Sequence, residues 1–89
     1  MEILQNSNIA NQIEAALNLI EPSLERRLPM LVCGNGGSAA DALHITGELV
    51  GRFLVERKAL NVICLSANVA VMTAWANDYA YETIFSRQV

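Results

Sequence analysis

The residues best suited to bind an anion form a glycine-rich run, Cys33-Gly34-Asn35-Gly36-Gly37-Ser38. The run follows an apolar, strand-like segment and precedes a helical pattern. Glycines in such a turn permit positive φ and let backbone N–H groups approach a ligand closely. The N-terminus of the following helix adds unpaired donors and a partial positive charge, which favour a phosphate ester. A tight turn without a ligand would use the same glycines, so the run alone leaves both interpretations open.

The run differs from two common phosphate-binding loops. Ala39 stands where the third glycine of a GxGxxG turn would be, and no Gly-Lys-Ser/Thr follows as in a P-loop. Ser38 is predicted to cap the helix, and Asp41 would complete a capping-box-like pair.

Four ionisable side chains follow the turn at helical spacing: Asp41, His44, Glu48 and Arg52. At about 100° per residue they fall within an arc of about 80°. We expect this polar strip to face a cleft or a neighbour. The wider, apolar face should pack on a sheet, and it comprises Ala42, Leu43, Ile45, Leu49, Val50, Phe53 and Leu54.

The strip offers two kinds of chemistry. His44 and Glu48, four residues apart, can bind one divalent metal from a single helix face, as in helical zinc sites. Alternatively, Glu48 is a general base beside the phosphate pocket. Each residue alone has a simpler explanation, because Glu48 and Arg52 are spaced as a surface ion pair and His44 can be a solvated histidine. Four such residues after a turn suited to anions favour a catalytic or metal-binding site over these simpler roles.

The surrounding segments predict an α/β fold. Residues 30–33 and 60–65 are predicted to be short strands buried on both faces, joined by a helix over 39–54. This strand–helix–strand order predicts parallel pairing. Residues 1–28 are predicted to form a helical segment that Pro22 interrupts, with Ser23 capping a second, short helix.

Two helices are predicted after the second strand, over about 69–76 and from about 79 to the end. Asn77 and Asp78, which lie between them, can cap the second helix or hydrogen-bond sugar hydroxyls. Packing is the expected role of the three nearby aromatic residues Trp75, Tyr79 and Tyr81.

Composition narrows the class of protein. The 89 residues suffice for one small domain, and a hydrophobic fraction of 53% is enough to build a core. The net charge of −3 and the lack of a Lys/Arg block argue against direct nucleic-acid binding. We expect no membrane association, because we find neither a signal-peptide pattern nor a bilayer-length apolar run. Cys33 and Cys64 are predicted to be buried free thiols in a reducing cytoplasm.

The central motif resembles a known family. The run from Cys33 to His44, then Glu48-Leu49 and Gly51-Arg52-Phe53, is similar to the sugar isomerase (SIS) domain of the phosphoheptose isomerases. Asn77-Asp78-Tyr79 and residues 84–89 resemble that family at the right distance downstream. The resemblance covers most of the chain, and it implies the first part of a SIS-type parallel sheet flanked by helices over residues 29–89.

The resemblance also implies a reaction and a site. Such enzymes convert sedoheptulose 7-phosphate to D-glycero-D-manno-heptose 7-phosphate, towards lipopolysaccharide core heptose, and are cytoplasmic homotetramers that often carry zinc. Asn35, Gly36, Gly37 and Ser38 would bind the sugar phosphate. His44 and Glu48 would bind zinc, with Glu48 also the base that moves a proton through an enediol. The sugar site would also be lined by Arg52, Asn77 and Asp78.

The family pattern extends beyond these residues. A Ser/Thr-rich phosphate loop, a Gln ligand and a His that acts as ligand and acid are expected after Val89, so we expect residues 1–89 alone to be inactive. Two other functions stay open: a non-catalytic SIS protein that binds the replication initiator, and a regulatory domain that senses a sugar phosphate. Glu48 favours the enzyme, because the matching position in the initiator-binding relative is not acidic.

Overall fold

In the computed structural model, residues 7–52, 54 and 56–89 are described. Phe53, which was predicted to lie on the apolar face of the helix over 39–54, is outside the described residues. No helix in this part of the chain combines the length and the hydropathy that a membrane span requires. In chain order the elements are α1 (Ser7–Glu25), β1 (Met30–Val32), α2 (Gly37–Val50), β2 (Val62–Cys64), α3 (Val69–Asp78) and two 3₁₀-helices (Tyr81–Thr83 and Ser86–Gln88).

The two strands pair in parallel, as predicted, with Met30 opposite Val62 and Leu31 opposite Ile63. Helix α2 connects them and packs on β2, which completes a βαβ unit. The prediction that both faces of the strands are buried is wrong in this part of the chain. Side chains alternate along a strand, so Leu31 and Ile63 share one face, and they are 41% and 48% exposed. Only the opposite face, which carries Val62, is well covered.

Helix α1 runs through Pro22 without a break, so the predicted division at Pro22 is wrong. The Ser23 hydroxyl donates to the Leu19 carbonyl at 2.8 Å, which is a bond of the helix interior rather than of an N-cap. The helix ends at Glu25, and Arg27 takes a left-handed φ of 62°. Arg27 then joins the loop before β2, because its guanidinium donates to the Ala59 carbonyl at 2.8 Å.

Few apolar side chains are well buried. Within the described residues the core consists of Ala42, Val62, Leu65 and Ile84. The wide apolar face of α2 packs only in part, because Leu43 and Ile45 stay 47% and 45% exposed. A sheet of two strands is too narrow to cover such a face.

The end of the chain differs from the prediction. Helix α3 is capped by Asn68, whose side-chain oxygen accepts from the Val71 N–H at 3.0 Å, and it extends to Asp78. The extended backbone of Ala80, with φ −154°, then interrupts the helical path. Two short 3₁₀-helices therefore replace the helix predicted from residue 79 to the end.

Both cysteines are free thiols, as predicted, but neither is fully buried. Cys33 is exposed and Cys64 is half-buried. Strand β1 ends at Val32, so Cys33 already belongs to the turn and not to a buried strand. The expectation of a buried thiol at Cys33 is therefore wrong.

Candidate functional site

The glycine turn connects the end of β1 to the start of α2, and one buried serine fixes it to β2. The Ser66 hydroxyl donates to the Gly34 carbonyl at 2.7 Å and accepts from the Gly34 N–H at 2.9 Å. Ser66 is only 7% exposed, and it follows β2 by two residues. Both polar groups of Gly34 are thereby satisfied by one side chain. Sequence spacing did not indicate Ser66, since a lone serine after a strand has no distinctive pattern.

Two glycines of the turn are required by geometry. A Cβ on Gly34 would lie 2.6 Å from the backbone carbon and oxygen of Ser38, which is closer than atoms can approach. Gly36 has φ 54°, a left-handed conformation that glycine adopts readily. Gly37 has open space around its Cβ position and no such need.

Helix α2 begins without a side-chain cap, so the predicted capping box is wrong. The N-cap residue is Gly36, and Ser38 lies inside the first turn. The Ser38 N–H donates to the Asn35 carbonyl at 2.9 Å, and the Ala40 N–H donates to the Gly36 carbonyl at 3.2 Å. These bonds tighten the turn with backbone groups alone and leave the Ser38 side chain exposed.

Three consecutive backbone donors are left over at this helix start. Within the described part of the chain, the N–H groups of Asn35, Gly36 and Gly37 have no hydrogen-bond acceptor. All three residues are exposed. Successive free N–H groups at a helix N-terminus form a concave donor surface that suits an anionic or electron-rich oxygen. The glycine run thus has the free N–H groups that binding an anion requires.

Tyr81 adds a contact that the sequence did not predict. Its hydroxyl donates to Oδ1 of Asn35 at 2.6 Å, across 46 residues of sequence. Tyr81 opens the first 3₁₀-helix and stays 55% exposed, so it does more than pack.

His44 and Glu48 come together as predicted on one face of α2. His44 Nε2 lies 3.5 Å from Glu48 Oε1, and the two side chains are 75% and 37% exposed. An imidazole nitrogen and a carboxylate oxygen so placed fit two positions of a tetrahedral zinc site. Within the described residues no third His, Cys, Asp or Glu joins them to complete a metal-binding group.

Arg52 does not belong to the helical strip. Helix α2 ends at Val50, so Arg52 leaves the helical path and pairs with Glu56 at 3.0 Å. The Glu48–Arg52 ion pair, which their spacing offered as the simpler explanation, is absent from the described residues. Instead, the Arg57 guanidinium donates to the backbone carbonyls of Glu48 and Leu49, each at 2.9 Å, and holds the last turn of α2.

Asn77 and Asp78 form the last turn of α3 and do not cap a following helix. The Asn77 amide donates to Oδ1 of Asp78 at 3.1 Å, and both residues are exposed. In the part of the chain that is described, no hydrogen bond joins either one to the glycine turn. Their role in binding sugar, like that of the other site residues, stays a prediction.

A small aromatic cluster holds the end of the chain on α3. The rings of Trp75 and Tyr79 stack at 4.2 Å between centroids, and the Arg87 guanidinium lies 4.6 Å from the Trp75 centroid. Trp75 Nε1 also donates to the Thr83 hydroxyl at 2.7 Å. Trp75 therefore packs, as predicted, while Tyr79 remains 73% exposed.

A concave apolar pocket lies at the opposite end of β1 from the turn. It is formed where α1 meets the strand, and its lining residues are Leu19, Ile20, Ser23, Pro29 and Met30. It offers little to bind an anion, because Ser23 is its one hydroxyl and that hydroxyl donates to the Leu19 carbonyl. The turn is the better candidate site.

Comparison with known families identifies the class of the chain. A model of the SIS domain matches residues 2–89. The chain belongs to the SIS domain family. The α/β class with parallel strands is confirmed, while the division of this SIS domain chain into 1–28 and 29–89 stays a prediction.

Curated relatives of this SIS domain chain include several phosphoheptose isomerases. The one from Crocosphaera subtropica is 46% identical over 84 residues, which are 94% of this chain and 43% of the relative. The one from Synechocystis sp. is 51% identical over 77 residues, which are 86% of this chain and 40% of the relative. The chain therefore spans less than half the length of these relatives.

Solved structures resemble this SIS domain chain as well. A phosphoheptose isomerase from Francisella tularensis is 34% identical with a TM-score of 0.71, over 94% of this chain and 51% of that one. The structure of a phosphoheptose isomerase from Neisseria gonorrhoeae is also 34% identical, with a TM-score of 0.64, over 93% of this chain and 47% of that one.

Proposed function

We propose that the protein is a phosphoheptose isomerase, an aldose–ketose isomerase that converts sedoheptulose 7-phosphate to D-glycero-D-manno-heptose 7-phosphate. The observation that carries the proposal is the row of free N–H groups on Asn35, Gly36 and Gly37 at the start of the helix that bears His44 and Glu48, about two and three turns further along. The similarity to phosphoheptose isomerases of several bacteria supports the same substrate class.

The turn binds the substrate in this proposal. Electron-rich oxygen atoms of the sugar phosphate accept from the backbone donors of residues 35–37, with the exposed Ser38 hydroxyl beside them. Because Ser66 already fixes Gly34, little ordering of the turn is needed when the ligand arrives. Arg52, Asn77 and Asp78, all exposed, are proposed to line the rest of the sugar site.

Glu48 carries the chemistry. Its carboxylate removes the proton from C1 of the ketose, which gives an enediol, and the proton returns at C2. The carbonyl thereby moves from C2 to C1, with hydroxyl protons exchanged between the two oxygens and no net change in atoms. The Glu48 carboxylate is 37% exposed, so a substrate can reach it, and it lies on the same helix that the glycine turn begins.

We also propose that His44 and Glu48 bind a zinc ion, with further ligands from outside the described residues. The pair fits on donor chemistry, since the nitrogen and the oxygen lie 3.5 Å apart on one helix face. When bound, zinc would polarise the substrate oxygens.

The assembly and the cell biology are proposed on resemblance. The protein is proposed to be a cytoplasmic homotetramer that supplies heptose for the lipopolysaccharide core, without contact to membrane or nucleic acid. The exposed apolar side chains of α1, among them Leu17 and Leu19, are compatible with burial in an assembly.

A Glu48→Gln variant of the intact protein tests the proposed function. We expect turnover of sedoheptulose 7-phosphate to fall by about 10²- to 10⁴-fold, because glutamine cannot accept the proton. Substrate conversion is followed by NMR of the sugar. The matched control is Glu14→Gln, an exposed glutamate on α1, which should keep full turnover.

Either of two results would contradict the proposal. Turnover that survives Glu48→Gln would remove Glu48 as the base. An intact wild-type protein that binds sugar phosphate but does not isomerise it would favour the sensing or initiator-binding alternative.

A further inference from the structure

The hydrogen bond between Tyr81 and Asn35 determines which way the Asn35 amide faces. Its length is 2.6 Å, which is typical of O–H···O and short for N–H···O. The amide oxygen is therefore the atom that meets the phenol. The two N–H bonds of the same amide then point away from Tyr81, and within the described residues they have no acceptor.

Tyr81 is itself held in place by the core. The 3₁₀-helix that it opens is followed directly by Ile84, which is 2% exposed. The Gln88 amide donates to the carbonyls of Leu65 and Ile84 at 2.9 and 3.0 Å, which fastens this segment beside Ser66. The phenol thus has a fixed position from which to orient Asn35.

We propose that Tyr81 is a positioning residue that turns the Asn35 amide into a pure donor at the glycine turn. The reversed amide would put its oxygen, instead of its N–H groups, on the side away from Tyr81, where it would repel a phosphate or hydroxyl oxygen bound at the turn. With Tyr81 in place, side chain and backbone offer donors only. This inference rests on the proposed function and assigns Tyr81 to its binding step.

The kinetic test compares Tyr81→Phe with wild type in the intact protein. We expect KM for sedoheptulose 7-phosphate to rise about three- to tenfold, as for one lost hydrogen bond, with kcat changed less than about twofold. The matched control is Tyr79→Phe, because the Tyr79 hydroxyl makes no hydrogen bond within the described residues and its ring still stacks on Trp75.

A double-mutant cycle separates positioning from general support. If Tyr81 acts through Asn35, Tyr81→Phe should change KM no further in an Asn35→Ala background. Asn35→Asp keeps an acceptor for Tyr81 but loses the donor, so it should weaken binding at least as much as Asn35→Ala. An equal effect of Tyr81→Phe in both backgrounds would overturn the inference.

A readout without turnover keeps the inference separate from the proposed function. In protein labelled with ¹⁵N-asparagine, the Asn35 side-chain signals are identified by their loss in Asn35→Ala. We expect inorganic phosphate to shift them in wild type, and Tyr81→Phe to move them before phosphate is added. Unchanged signals in Tyr81→Phe would refute the role of Tyr81. Absent turnover with the expected signals would refute only the proposed function.

Discussion

The glycine turn and the polar strip of α2 adjoin each other, but they are held very differently. The turn is fixed at two points, by the paired hydrogen bonds between Gly34 and Ser66 and by the contact between Asn35 and Tyr81. Among the strip residues that lie on α2, the described residues show one side-chain contact, between His44 and Glu48, and His44 is 75% exposed. The last turn of α2 is held by Arg57 and by the Leu60 N–H, which donates to the Leu49 carbonyl at 3.2 Å.

The residues proposed to bind the substrate are therefore held in place by the fold, whereas the residues proposed to react with it are not. The donors of the turn are oriented by contacts that this chain makes on its own. His44 and Glu48, the residues proposed to act in the reaction, are left open to solvent, where a substrate, a metal or another part of the protein can reach them. Substitutions in the turn should therefore change stability and binding together, while substitutions in the strip should change chemistry with little change in stability.

The largest effect on stability is expected from Gly34→Ala. Its new Cβ meets backbone atoms of Ser38 at 2.6 Å, and backbone cannot move aside cheaply. We expect a loss of about 3 kcal/mol in the free energy of unfolding, the upper end for overpacking. Chemical denaturation of the intact protein measures it.

Gly37→Ala is the matched control for Gly34→Ala, because a Cβ there meets nothing within 4 Å. We expect it to be neutral or to stabilise the protein by up to about 1 kcal/mol, since alanine favours the helix. Equal losses at both positions would contradict the view that Gly34 alone is required by close approach.

A smaller effect is expected from Ser66→Ala. The substitution leaves the N–H and the carbonyl of Gly34 without their shared partner in a part-buried place. We expect a loss of about 1–2 kcal/mol in unfolding free energy and weaker binding of inorganic phosphate by calorimetry. The control is Ser86→Ala, an exposed serine with one bond of 3.2 Å to the Thr83 carbonyl. If phosphate affinity stayed constant in Ser66→Ala, the turn would not need Ser66 to bind anions.

The smallest effect on stability is expected from His44→Ala. An exposed side chain with one contact should change the free energy of unfolding of chelator-treated protein by less than about 0.5 kcal/mol. The proposed zinc site predicts that elemental analysis of the intact variant, purified without chelators, shows a much lower zinc content than wild type. Asp41→Asn, on the same helix, should keep the metal. Zinc retained at full occupancy in His44→Ala would exclude His44 as a ligand.

Local patterns in the sequence were enough to predict the strand–helix–strand unit of this fold. The glycine run, the helix after it and the parallel strands depend on residues that are close in sequence, and the structure confirms them. The contact of His44 with Glu48 was predictable for the same reason, since four residues make one helical turn.

The remaining features depend on partners far along the chain. Arg52 lies outside the predicted strip because α2 ends at Val50 with Gly51 as its C-cap, and the spacing of the polar residues did not indicate this end. Ser66 and Tyr81 reach the turn only through the pairing of β1 with β2 and the packing of the last segment. Pro22 stayed inside α1, although proline is expected to end or kink a helix.

The bond between Tyr81 and Asn35 has a consequence for how the protein is made. Asn35 leaves the ribosome 46 residues before Tyr81, and Gly34 leaves it 32 residues before Ser66. At about 5–20 residues per second, the turn waits several seconds for both of its supports. Contacts of such long range also slow folding, because closing a long loop costs conformational entropy. The nascent turn therefore lacks both of these supports until the second strand and the residues up to Tyr81 have been synthesised.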